Sequence, residues 1–308
     1  MESPKQTQPT PVKRSQQATL NLIGAGKVGQ TLAGLWHSHG LVQVQDVCTR
    51  SLASAQAACQ SIGSGHAVEH IATMRPADLW LLAVPDAQIA TVAAQLAAPL
   101  TGHLARHAAQ HPAQPTVVWH CSGAQASTAM LALGSLASEQ PSLQLASAHP
   151  ILSFADVQRA KAQFAGTLCA LEGPPSACAT LAGLLEALGA CCCTVAAHDK
   201  LLYHAAAVFA TNFVPVLQQV AEQAWLASGV PPEALPGLRE RLLRNAVDNV
   251  LALGPVGALT GPAARGDTAH IAAQAASVSQ WNADAGAAYE ALSRLALSMR
   301  PNTTTRQP

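Results

Sequence analysis

The sequence is short of charge, and neither sign prevails. Asp, Glu, Lys and Arg make up 11% of its 308 residues, with 17 basic against 17 acidic side chains. It therefore has no basic field to draw in nucleic acid or an anionic membrane, and any anion site must be local. The eight cysteines contain no C-x-x-C spacing. Cys191, Cys192 and Cys193 are consecutive, so on a strand their thiols alternate between faces and do not converge on one ion; they read as buried reduced thiols. His103, His107 and His111 are spaced four apart but have no Cys or carboxylate nearby. Bounded by Pro99-Leu100-Thr101-Gly102 and Pro112, they read as a solvated insertion, and no metal is expected. Residues 1–17 lack the apolar segment of a signal peptide and read as a disordered tail. No run approaches the eighteen or more apolar residues of a spanning helix. The expectation is a cytoplasmic protein with no membrane or nucleic-acid partner.

What is plentiful is apolar residue, 49% of the chain, enough for two cores of ordinary size. The first segment to use it is Thr19-Leu20-Asn21-Leu22-Ile23, a short strand that runs into Gly24-Ala25-Gly26-Lys27-Val28-Gly29. After that the apolar spacing turns helical, with Val28, Leu32 and Leu35 on one face. Strand, G-x-G-x-x-G and helix in that order form the dinucleotide-binding turn. Gly24 allows the tight bend, Gly26 the approach of a pyrophosphate, and Gly29 the close packing of helix on strand.

The end of the second strand, read over 41–49, discriminates between the nicotinamide cofactors. An NAD site places an acid there for the ribose hydroxyls, whereas an NADP site supplies an Arg for the 2′-phosphate. The strand ends Cys48-Thr49-Arg50-Ser51, so Arg50 and Ser51 favour NADP. Asp46 is the competing acid, which would favour NAD, but it falls inside the strand. Further strands are expected at 78–84, 116–119, 143–147, 167–171 and 191–195, with helices at 87–97 and 175–188. Their alternation predicts a Rossmann-type, doubly wound, mostly parallel sheet. Strand ends deliver Val84-Pro85-Asp86, His120-Cys121-Ser122-Gly123 and His149 to the ligand crevice, with N-capping as the plainer role for Asp86. From 198 onward the strand pattern stops. A long apolar helix over 198–227 is interrupted only by Pro215, then come a helix over 236–253, a loop to 267 and a last helix pair. The expected division is a tail at 1–17, a Rossmann domain at 18–196, an all-helical domain at 197–300 and a tail at 301–308.

Together GAGKVG, AVPD, HCSGA, AHPILSF, YHAAAVFATN and LTGPAARGD resemble a bacterial family in which a Rossmann-like domain is joined to a helical domain of unknown function. Its members are labelled NADP oxidoreductases, related to pyrroline-5-carboxylate reductases, β-hydroxyacid dehydrogenases and deazaflavin-dependent NADP oxidoreductases. The resemblance implies a helical domain of the 6-phosphogluconate dehydrogenase C-terminal type and an NADP cofactor. It also implies that Ser122-Gly123 matches a Ser-Gly that holds a substrate carboxylate. The Lys–Asn pair of the related dehydrogenases is not reproduced, because Lys200 is followed four residues on by His204.

Hydride transfer to a carbonyl or imine needs a proton donor, and His suits that task near neutral pH. His204 on the long helix is the first candidate, with Lys200 on the same face and His120, Ser122 and His149 from the strand ends. Their plainer roles are helix and loop bracing. Cys121 would need a paired base to act as a nucleophile. Arg265 offers a fork to a carboxylate or phosphate, or a brace to Asp267. Two functions follow: an NADPH-dependent reductase of a small oxo or imino acid, or a non-catalytic dinucleotide-binding sensor or assembly protein. The apolar helices at 198–227 and 236–253 predict a homodimer joined through the helical domain.

Overall fold

The computed structural model describes residues 17–110 and 114–300, so the two expected tails lie outside it, apart from Gln17. The chain divides into two compact units, residues 1–208 and 209–308.

In the first unit an eight-stranded sheet has the order β3-β2-β1-β4-β5-β6-β7-β8. Its strands are β1 Ala18–Ile23, β2 Val42–Cys48, β3 His66–Val68, β4 Leu79–Leu82, β5 Thr116–His120, β6 Leu143–Pro150, β7 Leu168–Glu172 and β8 Cys191–Thr194. All pairings are parallel except β6 with β7. Side chains alternate faces along each strand. Leu20, Leu22, Leu79, Leu81, Val117 and Trp119 accordingly enter one core, while Ile23, Trp80, Leu82 and Val118 enter another on the opposite face. Helices α1 (Lys27–Ser38), α2 (Leu52–Ile62) and α3 (Ile89–Gln110) follow β1, β2 and β4 in the winding, and α4 (Leu131–Glu139), α5 (Val157–Ala162) and α6 (Pro175–Glu186) complete it. The parallel register lines up Cys48, Ile23, Leu82, His120 and Ser147 in one row. The loops that follow β2, β1, β4 and β5 therefore leave the sheet along one edge.

Three expectations need correction. Edge strand β3, only three residues long, was not foreseen. The expected helix at 87–97 is α3, which starts at Ile89 and runs through Pro99 to Gln110. A proline there gives up the bond to the carbonyl four residues back, but Ile89, Ala93, Leu96, Leu100 and Leu104 make one buried stripe that carries the helix onward. His103 belongs to that buried face: it is 7% exposed and stacks on Trp80 at 5.7 Å, so it is not solvated. The His107 side chain and His111 lie outside the described residues. Third, among the described residues one helical run, residues 197–227, is long and apolar enough by length and composition to cross a membrane, with a mean hydropathy of 1.3 over an eighteen-residue stretch.

That run is α7 (Lys200–Ala207), a π turn (Val208–Asn212) and α8 (Phe213–Ala227). The wide turn precedes Pro215, whose ring would otherwise strike the carbonyl of Thr211. The division between the units falls inside it, beyond the break expected at 196/197, because α7 is fastened to the first unit by Lys200, Tyr203 and His204. In the second unit, α9 (Leu235–Ala258) breaks at Gly254, where φ is +70° and Pro255 follows. Short α10 (Gly261–Arg265) leads to α11 (Thr268–Trp281) and α12 (Ala283–Ser298).

Candidate active site

The glycine turn is fixed by its neighbours. Gly24 has φ +76°, and a Cβ on it would lie 2.5 Å from Val84 Cγ1 and 2.6 Å from the Ala83 carbonyl oxygen. A Cβ on Gly29 would lie 2.7 Å from that of Ala83. At Gly26 the nearest atom would be 4.0 Å away, so this backbone faces open space. Gly26 is also the N-cap of α1, with no side-chain cap and no acid in the first turn. The helix thus presents uncapped N–H groups and its positive end to whatever enters, beside the backbone of Ala25, Lys27 and Val28. This fits a pyrophosphate.

At the end of β2, Ser51 caps α2 by accepting from the Ser54 N–H, and the hydroxyls of Thr49, Ser51 and Ser54 cluster there. Arg50 is exposed and makes no hydrogen bond or ion pair among the described residues. Asp46 is spent: its carboxylate accepts from the Arg75 backbone N–H at 2.7 Å and from the Arg75 guanidinium at 2.5 Å. An acid so engaged within the strand is not offered to a ribose.

Beyond β4 and β5 the loops are cross-linked. The Ser122 hydroxyl donates to Asp86 Oδ2 at 2.6 Å and accepts from the N–H groups of Ala124 and Gln125. This hydroxyl is thus taken up by Asp86 and its own loop rather than standing free toward the crevice. Asp86 likewise does not N-cap; Pro85 occupies that position, without a side-chain bond. His120 is wholly buried, with Nε2 on the Ala126 carbonyl at 3.1 Å and Nδ1 on the Ser122 N–H at 3.2 Å. Both ring nitrogens hold the loop, and burial pushes the ring below the usual histidine range. It is a brace and does not line the crevice. Burial lifts the Cys121 thiol to about 12, which disfavours the thiolate that a nucleophile needs.

α7 supplies the other side. Lys200, Tyr203 and His204 stand at i, i+3 and i+4, so they share a face. Lys200 is 2% exposed and donates to the Ser122 carbonyl at 2.9 Å and to Ser147 Oγ at 2.6 Å. Burial lowers its pKa, and Glu172 opposes that. The Tyr203 hydroxyl lies 2.9 Å from His149 Nδ1, and the His149 and His204 rings meet edge to face at 5.6 Å. His149 is held down at about 4, first by burial and then by His204 and Lys200. Both rings lie over Gly123: a Cβ there would collide with His204 Nδ1 and come within 2.8 Å of His149. His204 Nδ1 is buried and has no hydrogen-bond partner among the described residues. Arg265 sits in the second unit, exposed on α10; it does not brace Asp267, whose carboxylate caps α11 through the His270 N–H.

The sequence reading missed Ser127, Ser147 and Glu172. The signal was available, because Glu172 ends an otherwise apolar strand, and a charge in such a place needs partners.

Two family models cover most of the chain: a Rossmann-like domain over residues 1–150 and a domain of unknown function, DUF2520, over residues 167–296. The chain joins these two domains. No protein of curated function matches it. Solved structures resemble it in fold. A candidate NADP oxidoreductase from Bacteroides fragilis is 20% identical, with a TM-score of 0.66 over 92% of this chain and 98% of its own. Protein TM1727 from Thermotoga maritima is 22% identical, with a TM-score of 0.67 over 91% and 97%. An imine reductase from Myxococcus stipitatus, solved with NADP+, is 18% identical, with a TM-score of 0.60 over 91% and 94%.

Proposed function

We propose that this chain is an NADP-dependent oxidoreductase that reduces a small oxo or imino acid. The observation that carries this reading is the single row of strand ends, which places the open glycine turn, the unpaired Arg50 and the His149–His204 pair over Gly123 along one edge of the sheet. Gly24 to Gly29 would hold the pyrophosphate, and Arg50 with Ser51 the 2′-phosphate. Val84, Pro85, Cys121 and Gly123 would form the floor of the nicotinamide end. When bound, NADPH supplies hydride to the carbon of a C=O or C=N bond. The chain must then provide a proton to the oxygen or nitrogen. His204, with a buried Nδ1 and no partner, is the residue placed to do so, while His149, neutral and tied to Tyr203, orients it and excludes water. The NADP-bound imine reductase of the same fold supports the C=N substrate as much as the C=O one.

The second reading, a dinucleotide-binding sensor or assembly protein without chemistry, is favoured by one observation: Lys200 is spent on holding the Ser122 carbonyl. NADPH consumption in the presence of a panel of keto acids and cyclic imines separates the two. His204→Ala is expected to cut kcat by about a hundredfold while NADPH affinity stays within about twofold. NADPH binding without turnover across the panel, or a His204→Ala variant with unchanged kcat, contradicts the reductase.

We further propose that two copies associate through the helical unit in the cytoplasm. In that unit Phe209, Leu251 and Leu253 are 62%, 79% and 62% exposed, and Leu201 and Leu202, at the end of the first unit, continue the exposed apolar side chains along the same helical run. The helical run that carries Leu201, Leu202 and Phe209 has its opening turns in α7 fastened into a hydrogen-bonded loop network, which argues for a protein partner over lipid.

A further inference from the structure

Lys200 and Glu172 are buried charges that the hydride reaction leaves unused. They belong to different elements, α7 and the end of β7, and they meet through Ser147 of β6. Ser147 is paired in register with His120 on one side and with Glu172 on the other. The antiparallel direction of β7 thus brings its last residue beside the middle of β6.

The hydrogen bonds form one chain. Lys200 Nζ donates to Ser147 Oγ at 2.6 Å, and Ser147 Oγ donates to Glu172 Oε2 at 2.9 Å. The chain ends on one loop at both sides. Lys200 also donates to the Ser122 carbonyl at 2.9 Å, while Glu172 accepts the Ser127 N–H at 2.7 Å and the Ser127 hydroxyl at 2.8 Å. A buried charge pair is a poor source of stability, since apolar side chains of like volume do as well or better. Its presence here is explained by what it grips.

We propose that Lys200, Ser147 and Glu172 act as one buried staple that grips the loop over residues 122–127 at both ends and keeps Gly123 seated under His149 and His204. They are positioning residues, and none of them touches the reacting atoms. The inference rests on the proposed reductase only for the use made of the loop. Its test uses the full chain without nucleotide, so failure of NADPH to bind would leave it standing.

The test compares Lys200→Met, Glu172→Gln and the double variant by melting temperature, by amide exchange of the 121–127 segment and by the NMR titration of the His149 ring. Glu172→Gln strands an ammonium and lowers the melting temperature, whereas the double variant has no stranded charge and melts close to the wild type. Exchange at Ala124 and Gln125, whose N–H groups bond to Ser122 Oγ, rises at least about tenfold in Lys200→Met and stays raised in the double variant. The groups facing His149 are Lys200, Tyr203 and His204 from α7 and Asp86 from the loop after β4. Removal of the Lys200 charge moves the His149 midpoint upward, and any loosening of the loop that helps bury the ring moves it the same way, so the midpoint reports the seating of the loop under His149. A double variant that recovers both the melting temperature and slow exchange overturns the proposal, as does Lys200→Met with wild-type exchange and an unmoved His149 midpoint. Should Glu172→Gln fail to fold, the other two variants decide.

Discussion

Trp36 and Leu251 are both large apolar side chains on helices, and the chain treats them in opposite ways. Trp36 on α1 is buried, donates its indole N–H to the Leu184 carbonyl at 2.9 Å and meets Trp119 edge to face at 6.1 Å. Leu251 on α9 is 79% exposed. The contrast holds across the units. The first fills a core on each face of its sheet, whereas in the second the buried residues among those described are Leu235, Ala275, Ala285 and Gly286. A hundred-residue unit with so little interior does not gain enough from burial to offset its ordering entropy alone. The first unit fills its interior and carries the candidate site; the second leaves most of its apolar side chains exposed, the surface through which we propose that two copies meet.

The sharpest way to break that comparison is to charge the second surface. Leu251→Asp with Leu253→Asp is expected to weaken self-association by at least about a hundredfold, as loss of central apolar contacts does. The first unit should keep its secondary structure, and sedimentation velocity reads the change. A wild-type chain that sediments as a monomer at micromolar concentration contradicts the comparison outright.

A smaller effect sharpens the other side, since the first unit buries neutral histidines. His149 is held at about 4 in the fold and titrates near 6.5 when unfolded. Between those values the unfolded chain takes up a proton that the folded chain refuses, so stability is complete above about pH 6.5 and falls as the pH drops toward 4. His103 and His120, also lowered by burial, act in the same direction. Melting temperatures taken from neutral pH downward should show the decline, and His149→Gln should make it shallower. An unchanged slope would show that His149 is not held neutral.

The comparison also explains what could be read in the sequence. The first unit was largely legible: glycine turn, strand ends and alternating faces obey local periods and turn chemistry, and Gly24, Arg50 and the loop of Ser122 were placed by them. What escaped depends on contacts distant in sequence. The engagement of the Ser122 hydroxyl by Asp86, of Asp46 by Arg75 and of Lys200 by Ser147 follows from sheet register, which no local pattern displays. Pro99 misled because a proline is a local signal, while the buried stripe that overrides it extends to Leu104. In the second unit the long helices were legible from their periodicity, and Gly254-Pro255 marked the break in the second of them, but the stretch to 267 expected as a loop holds the end of α9 and short α10. The burial of these helices was not legible, because an apolar period shows which face of a helix can be covered and not whether it is.

The central claim is that the strand-end row of the first unit seats NADPH, with Arg50 at the 2′-phosphate. Fluorescence titration of NADPH and NADH into the wild type and Arg50→Ala tests it most directly. NADPH is expected to bind the wild type at least about tenfold more tightly than NADH, and Arg50→Ala to bring the ratio within about threefold. Equal affinities in the wild type, or a ratio that Arg50→Ala leaves unchanged, would contradict it.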